Sequence, residues 1–345
     1  MNFSLQTPLK ISADTAWQAV KQPRSLVYVC RGLVSLPAAQ FPGEGWVEGL
    51  RIQLRPRLFH LLPTGWLHTT VIRQVDDGQR ILQADESGPF YAWRLAIHVE
   101  PAPGGCLVRD EIEVRAGWLT PLAWLWLGLF HLYRQGRWRR LTGIPRHLPG
   151  RAAWAKVLQA RHGPETANRL LDRAEEGWRM LMFGRRIVTN HALRQHLEDH
   201  LLPALAIYRV LSEETGDREA ALSEVEALLE AGMLPQFKFQ AFLLKGFPKS
   251  FALLRFSFGP MMRSYPAEGW EMEWLENSPR RIAFNTHRCF YLDTLRTLGA
   301  AELTAAFCQM DDVGGRLMPP SIRFVRSQAL GRGGKMCDFQ YLEAH

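Results

Sequence analysis

The hydrophobic rhythm of the chain changes near its middle. Up to about residue 115, apolar positions tend to alternate with polar ones, as in strands with one buried face. Asn2–Leu9, Trp46–Leu54, Trp66–Val75, Arg80–Glu86, Tyr91–Val99 and Cys106–Arg115 read as strands on this basis. Asp77-Gly78 and Gly104-Gly105 lie between neighbouring runs, where hairpin turns favour such residues. Two helical stretches bracket the strands. Ser12-Ala-Asp-Thr-Ala-Trp17 starts one, with Ser12 as its cap. Pro121–Leu141 forms the other, with Pro121 in the first turn, where a missing N–H does no harm.

Thr142-Gly-Ile-Pro-Arg-His-Leu-Pro-Gly150 then interrupts both rhythms with two prolines and two glycines, and marks a domain boundary. Beyond it, Gly163–Leu181, Ile187–Ser212 and Arg218–Ala231 have helical spacing. Alternation returns at Gly269–Glu276 and Arg280–His287, around the turn Asn277-Ser-Pro279. Phe290–Leu298 and Glu302–Asp311 read as helices, and Ser321–Gln328 and Met336–Leu342 as a closing hairpin. Helices followed by paired strands with helices inserted between them make an α+β domain. The expected organisation is therefore a first domain over residues 1–145 and a second, with an antiparallel sheet and several helices, over 151–345.

Composition refines this picture. A hydrophobic share of 47% with 22% charge belongs to a folded chain rather than a disordered one. Five cysteines, an odd and sparse set, imply no disulfide framework, and with no signal-like start at Met1–Lys10 they point to the cytoplasm. The net charge of +8 is concentrated in Arg134–Lys156, which holds seven basic residues and no acid; without it the balance is +1. One stripe at a helix end is not a nucleic-acid-binding face, so no nucleic-acid partner is expected. The uncharged run Ala116–Tyr133 approaches membrane-spanning length, but Pro121, Gly128 and His131 within it favour a helix closing over a sheet, and membrane association is not expected. His196-Leu-Glu-Asp-His200 lacks the zinc-protease order and reads as a polar helix face.

Two resemblances add to this. Leu9-Lys-Ile-Ser-Ala-Asp-Thr-Ala-Trp17 and Val108-Arg-Asp-Glu-Ile-Glu-Val-Arg115, before a long helix, resemble the START/polyketide-cyclase (SRPBCC, Bet v 1-like) superfamily. That resemblance implies a helix-grip domain enclosing an apolar cavity, and with it an apolar ligand. Asn285-Thr-His-Arg-Cys289, Phe307-Cys308-Gln-Met-Asp311 and Gly333-Gly-Lys-Met-Cys337-Asp338-Phe339 resemble the L-2-amino-thiazoline-4-carboxylic acid hydrolase family, over roughly residues 185–345. Members are named for opening a thiazoline ring, and the implied partner is a small-molecule substrate.

Opening a 2-aminothiazoline requires water to attack an amidine-like carbon while a thiolate leaves. Asp311 is a candidate base or orienter, His287 an acid or base, and Arg288 or Arg326 a clamp for the substrate carboxylate. Cys289, Cys308 and Cys337 are open to three readings. They are ligands for zinc or another divalent metal, or packing residues, or Cys289 is a nucleophile favoured by Arg288 and a helix N-terminus. Asp311 and Asp312 are expected at the end of their helix, where acids oppose the dipole. Two further functions stay open: a non-enzymatic sensor of an apolar ligand or metal, and a cyclase or lyase using the first-domain cavity.

Overall fold

The computed structural model describes residues 1–36, 41, 45–59, 62–63, 65 and 67–344. It divides into two compact units, Met1–Pro145 with Met182–Thr189, and Arg146–Leu181 with Asn190–His345. Residues 182–189, which the sequence places in the second half, pack with the first because Ile187 is buried in that unit's core. Phe183 O accepts the Ser12 N–H at 3.1 Å, and Arg185 donates to Gly143 O at 3.0 Å.

The first unit opens with β1 (Asn2–Leu9), α1 (Ala13–Val20) and α2 (Pro23–Cys30). Ser12 caps α1 by accepting the Thr15 N–H at 3.1 Å. The eight-residue α2, with proline in its first turn, is too short to show in the hydrophobic spacing. A small sheet of β2 (Val34–Ser35), β4 (Arg57–Leu58) and β5 (Leu62–Pro63) stands apart from the main one. The main sheet holds β3 (Arg51–Leu54), β6 (His68–Asp76), β7 (Ile81–Ser87), β8 (Ala92–Ala102) and β9 (Gly105–Arg115) beside β1. Its order is β1-β9-β8-β7-β6-β3, antiparallel throughout. The expected strand beginning at Trp66 starts outside the described residues; its visible part is β6.

The long helix α3 (Thr120–Thr142) completes a helix-grip fold. Leu127, His131, Arg134, Trp138 and Leu141 recur at three- and four-residue spacing, so they share one face, and all are buried. The opposite face exposes Leu122, Leu125, Leu129 and Leu132. Apolar residues on both faces account for the long uncharged run. No helix among the described residues is long and apolar enough to cross a membrane.

The second unit begins with α4 (Arg151–His162) and α5 (Pro164–Gly184), whose last turn belongs to the first unit. Next come α6 (His191–Gln195), a π turn over His196–Leu201, α7 (Leu202–Thr215), α8 (Arg218–Lys245) and α9 (Ser250–Met262). The helix expected from Ile187 starts only at His191, where Asn190 caps it by accepting the Ala192 N–H at 3.1 Å. Helix α8 outruns its expected end at Ala231 and continues through Pro235. The sheet holds β10 (Trp270–Asn277), β11 (Arg281–Cys289), β12 (Ile322–Val325) and β13 (Cys337–Glu343), in the antiparallel order β10-β11-β13-β12. Between β11 and β12 lie α10 (Phe290–Thr297) and α11 (Thr304–Arg316). Helix α11 runs on through Gly314 and Gly315, so Asp311 and Asp312 sit within it, and the expected conflict with the helix end does not arise.

Candidate functional site

In the second unit, a β-bulge decides which residues meet. Arg288 pairs with Glu271 but Thr286 with Met272, so His287 is an extra residue in β11. A bulge of this kind leaves two consecutive side chains on one side of the sheet and shifts the phase beyond them. His287 and Arg288 are accordingly both exposed, while Cys289 is half-buried. Thr286 pairs with Cys337 and both are buried, and Cys289 lies three residues further along β11.

Helix α11 brings the third sulfur. Cys308 packs with Cys337, Ala329 and Phe339 in one buried group. A Cβ at Gly331 would lie 2.8 Å from the Cys308 sulfur, so glycine is needed for this approach. The Leu330 N–H donates to the Cys337 sulfur at 3.2 Å. Cys289, Cys308, Cys337 and Asp311 are all close enough to perturb one another electrostatically.

None of the three thiols is poised as a thiolate. Burial pushes Cys308 up to about 12 and Cys337 up to about 11. At Cys289, burial outweighs the N–H groups of Leu292 and Tyr291 at the start of α10, and the net shift is upward. Among the described residues, no group of three His, Cys, Asp or Glu side chains is arranged to hold a metal ion. The expected set of Cys289, Cys308 and Cys337 is accordingly not brought into such a group.

Asp311, paired with Arg326 at 2.8 Å, is a carboxylate shifted toward neutral pH. Burial lifts its pKa to about 6, outweighing the pull of Arg326, and the neighbouring Asp312 pushes the same way. Yet 45% of its side-chain surface stays open to solvent.

Arg326 is not available as a carboxylate clamp. Its side chain, 2% exposed, donates to Asp311 at 2.8 Å, to Asp312 at 2.6 Å and to the Cys308 carbonyl at 2.8 Å. It positions the catalytic candidate instead. Arg288 is exposed and donates to the carbonyls of Glu268 at 2.6 Å and Ala267 at 3.2 Å. His287 pairs with Glu273 at 2.9 Å on the exposed face, which Asn285 also reaches at 3.2 Å. His287 and Arg288 thus lie exposed, whereas Cys308 and Cys337 are buried together.

Asp338 has a structural task. Burial alone would raise its pKa, but donors from Ser327 and Gln328 lower it overall. Those bonds, at 2.5 to 2.9 Å, pin the loop before β13. In that loop Gly333 takes the left-handed φ of 82°, which suits glycine. A hollow of about 320 Å³ lies along it, lined by Arg326–Ala329 and Arg332–Gly334.

Sequence reasoning missed the aromatic wall. Tyr265, Tyr291 and Tyr341 all lie in electrostatic reach of Asp311, and burial keeps all three phenols protonated. His196, read as part of a polar face, is 9% exposed. Its Nε2 faces the Ser264 carbonyl at 2.8 Å, so that nitrogen carries the proton. Nδ1 then accepts from the Tyr291 hydroxyl at 2.7 Å. Burial lowers the His196 pKa to about 4, so the ring stays neutral. The π turn beginning at His196 was the missing signal, and hydrophobic spacing does not report it.

The first unit has its own cavity, about 490 Å³, between the sheet and α3. Its lining is mainly apolar, including Leu54, Ile72, Leu95 and Trp138. Polar groups enter at two places. Glu86 accepts from Thr70 at 2.6 Å and contacts His68, whose Nδ1 lies 3.1 Å from the Tyr91 hydroxyl. His131 pairs with Asp110 at 2.9 Å beside Arg134.

Fold and sites together define a helix-grip unit with an apolar cavity, followed by an α+β unit in which Cys308 and Cys337 pack together and Arg326 pairs with Asp311 and Asp312. Comparisons with known proteins bear on the second part. Residues 194–341 match the family described as L-2-amino-thiazoline-4-carboxylic acid hydrolase, and this half resembles it as the cysteine motifs imply. Among solved structures, norcoclaurine synthase from Thalictrum flavum, in complex with dopamine and hydroxybenzaldehyde, is 14% identical. The match covers 39% of this chain and 84% of that one, with a TM-score of 0.29. Ginseng major latex-like protein 151 from Panax ginseng is 15% identical over 42% of this chain and 98% of its own, with a TM-score of 0.32. A protein from Chromobacterium violaceum, CV1439, is 11% identical over 41% and 95%, with a TM-score of 0.33. No curated protein matches significantly.

Proposed function

We propose that the protein is a hydrolase that opens a small cyclic C–N/C–S compound in its second unit, fused to a unit that binds an apolar ligand. The observation that carries this reading is Asp311, a solvent-reachable carboxylate fixed by Arg326 at 2.8 Å, with a pKa pushed up to about 6. The match of residues 194–341 to the thiazoline-carboxylate hydrolases supports the substrate class.

In this reading the Asp311 carboxylate takes a proton from water as the oxygen bonds to the amidine-like carbon. The C=N π pair moves onto the ring nitrogen, which receives that proton from Asp311; the C–S bond then breaks as the added hydroxyl becomes the urea carbonyl, and Asp311 passes the hydroxyl proton to the leaving sulfur. Protons balance, and the step needs no other reactant. Arg326 holds Asp311 in place through its 2.8 Å bond. Tyr291, whose proton is directed to His196, offers its oxygen lone pairs to a ring N–H. Cys289, Cys308 and Cys337 line the site as neutral thiols rather than attacking it.

The test is thiol release from L-2-amino-thiazoline-4-carboxylate by the full chain. Wild type should release thiol, Asp311→Asn should lose at least about a hundredfold in rate, and Cys289→Ser should keep most of it. Equal rates in wild type and Asp311→Asn would overturn the assignment, as would an inactive, folded wild type.

A further inference from the structure

The cavity of the first unit holds a buried cation with incomplete bonding. Arg134 lines that cavity and is only 4% exposed. It forms no ion pair among the described residues. Its Nη1 lies 3.4 Å from both ring nitrogens of His131, which places it over the ring face rather than in line with a lone pair. Its Nε–H, fully buried, finds no acceptor among the described residues.

The two carboxylates nearby already have donors. Asp110 receives His131 at 2.9 Å, and Glu86 receives Thr70 at 2.6 Å and His68. Both lie within electrostatic range of the same pocket wall, and Asp110 feels Arg134 without pairing with it. A guanidinium in a low-dielectric cavity is costly unless charge-assisted hydrogen bonds complete it. Its five N–H groups suit a planar carboxylate, and the rest of the lining suits a hydrocarbon.

We infer that the first-unit cavity binds an apolar monocarboxylic acid, with the carboxylate on Arg134 and the hydrocarbon among Leu54, Ile72, Leu95 and Trp138. This rests on the apolar-ligand reading proposed above and adds the chemistry of the ligand's head.

Calorimetric titration of the full chain with decanoate and with decan-1-ol separates the two claims. Decanoate should bind about tenfold or more tightly than the alcohol, and Arg134→Met should remove that preference while still binding the alcohol. Arg134→Lys, which keeps the charge, should retain part of the preference if the methionine variant fails to fold. Equal affinity of acid and alcohol for wild type would overturn the carboxylate anchor and leave the apolar cavity standing. No binding of either would overturn both.

Discussion

Acidification should weaken the second unit through His196 in particular. In the fold this ring is neutral, with a pKa lowered from 6.5 to about 4 by burial. In the unfolded chain it titrates near 6.5, so between those values the unfolded state binds the extra proton. Stability therefore falls as pH drops through 6.5 toward 4, and no further below that. Going from pH 7 to pH 5, the linkage relation gives a loss of about 2 kcal/mol from this residue. Other groups titrate too, so the quantity to measure is a difference of differences. Urea unfolding of wild type and His196→Gln is followed at both pH values by hydrogen exchange in peptides covering 193–205, so the second unit reports alone. The wild type should lose about 2 kcal/mol more than the variant. An equal loss in both proteins would refute a buried neutral His196.

Gly331→Ala should cost about 1–3 kcal/mol by overpacking, since its Cβ would meet Thr304 Cγ2 at 2.7 Å and the Cys308 sulfur at 2.8 Å; thermal unfolding checks this, and an unchanged midpoint would count against the packing described. Every thiol should resist alkylation at pH 7.5. Those raised from 9.0 to about 11, Cys30, Cys106 and Cys337, should react roughly a hundredfold more slowly than free cysteine. Mass spectrometry after iodoacetamide would expose any thiol that labels at the free rate.

The sheets were readable because their side chains alternate, and the cysteine motifs were readable because each sits next to a strand end or helix. What escaped was geometry that period-based reading does not carry. One inserted residue, His287, leaves itself and Arg288 exposed and Cys289 half-buried. One π turn takes His196 off a polar face and into an aromatic wall. Tyr265 and Tyr341 are ordinary aromatics in sequence and join the site only through tertiary packing. Arg326 was found, but its role changed once two aspartates on α11 proved to share it. The buried Arg134 was hidden inside a basic stripe that reads as a solvated helix end; only its burial on the inner face of α3 distinguishes it.

The central claim is that Asp311 titrates near neutral pH, and its carboxyl carbon can report this directly. In protein labelled with ¹³C-aspartate, the resonance missing from Asp311→Asn identifies the residue, and its shift is followed from pH 3 to pH 8. The account predicts a midpoint near 6, set by burial against the pull of Arg326. A midpoint at or below the ordinary 3.8 would contradict it, leaving Asp311 an ion-pair partner of Arg326 with no capacity to exchange protons at neutral pH.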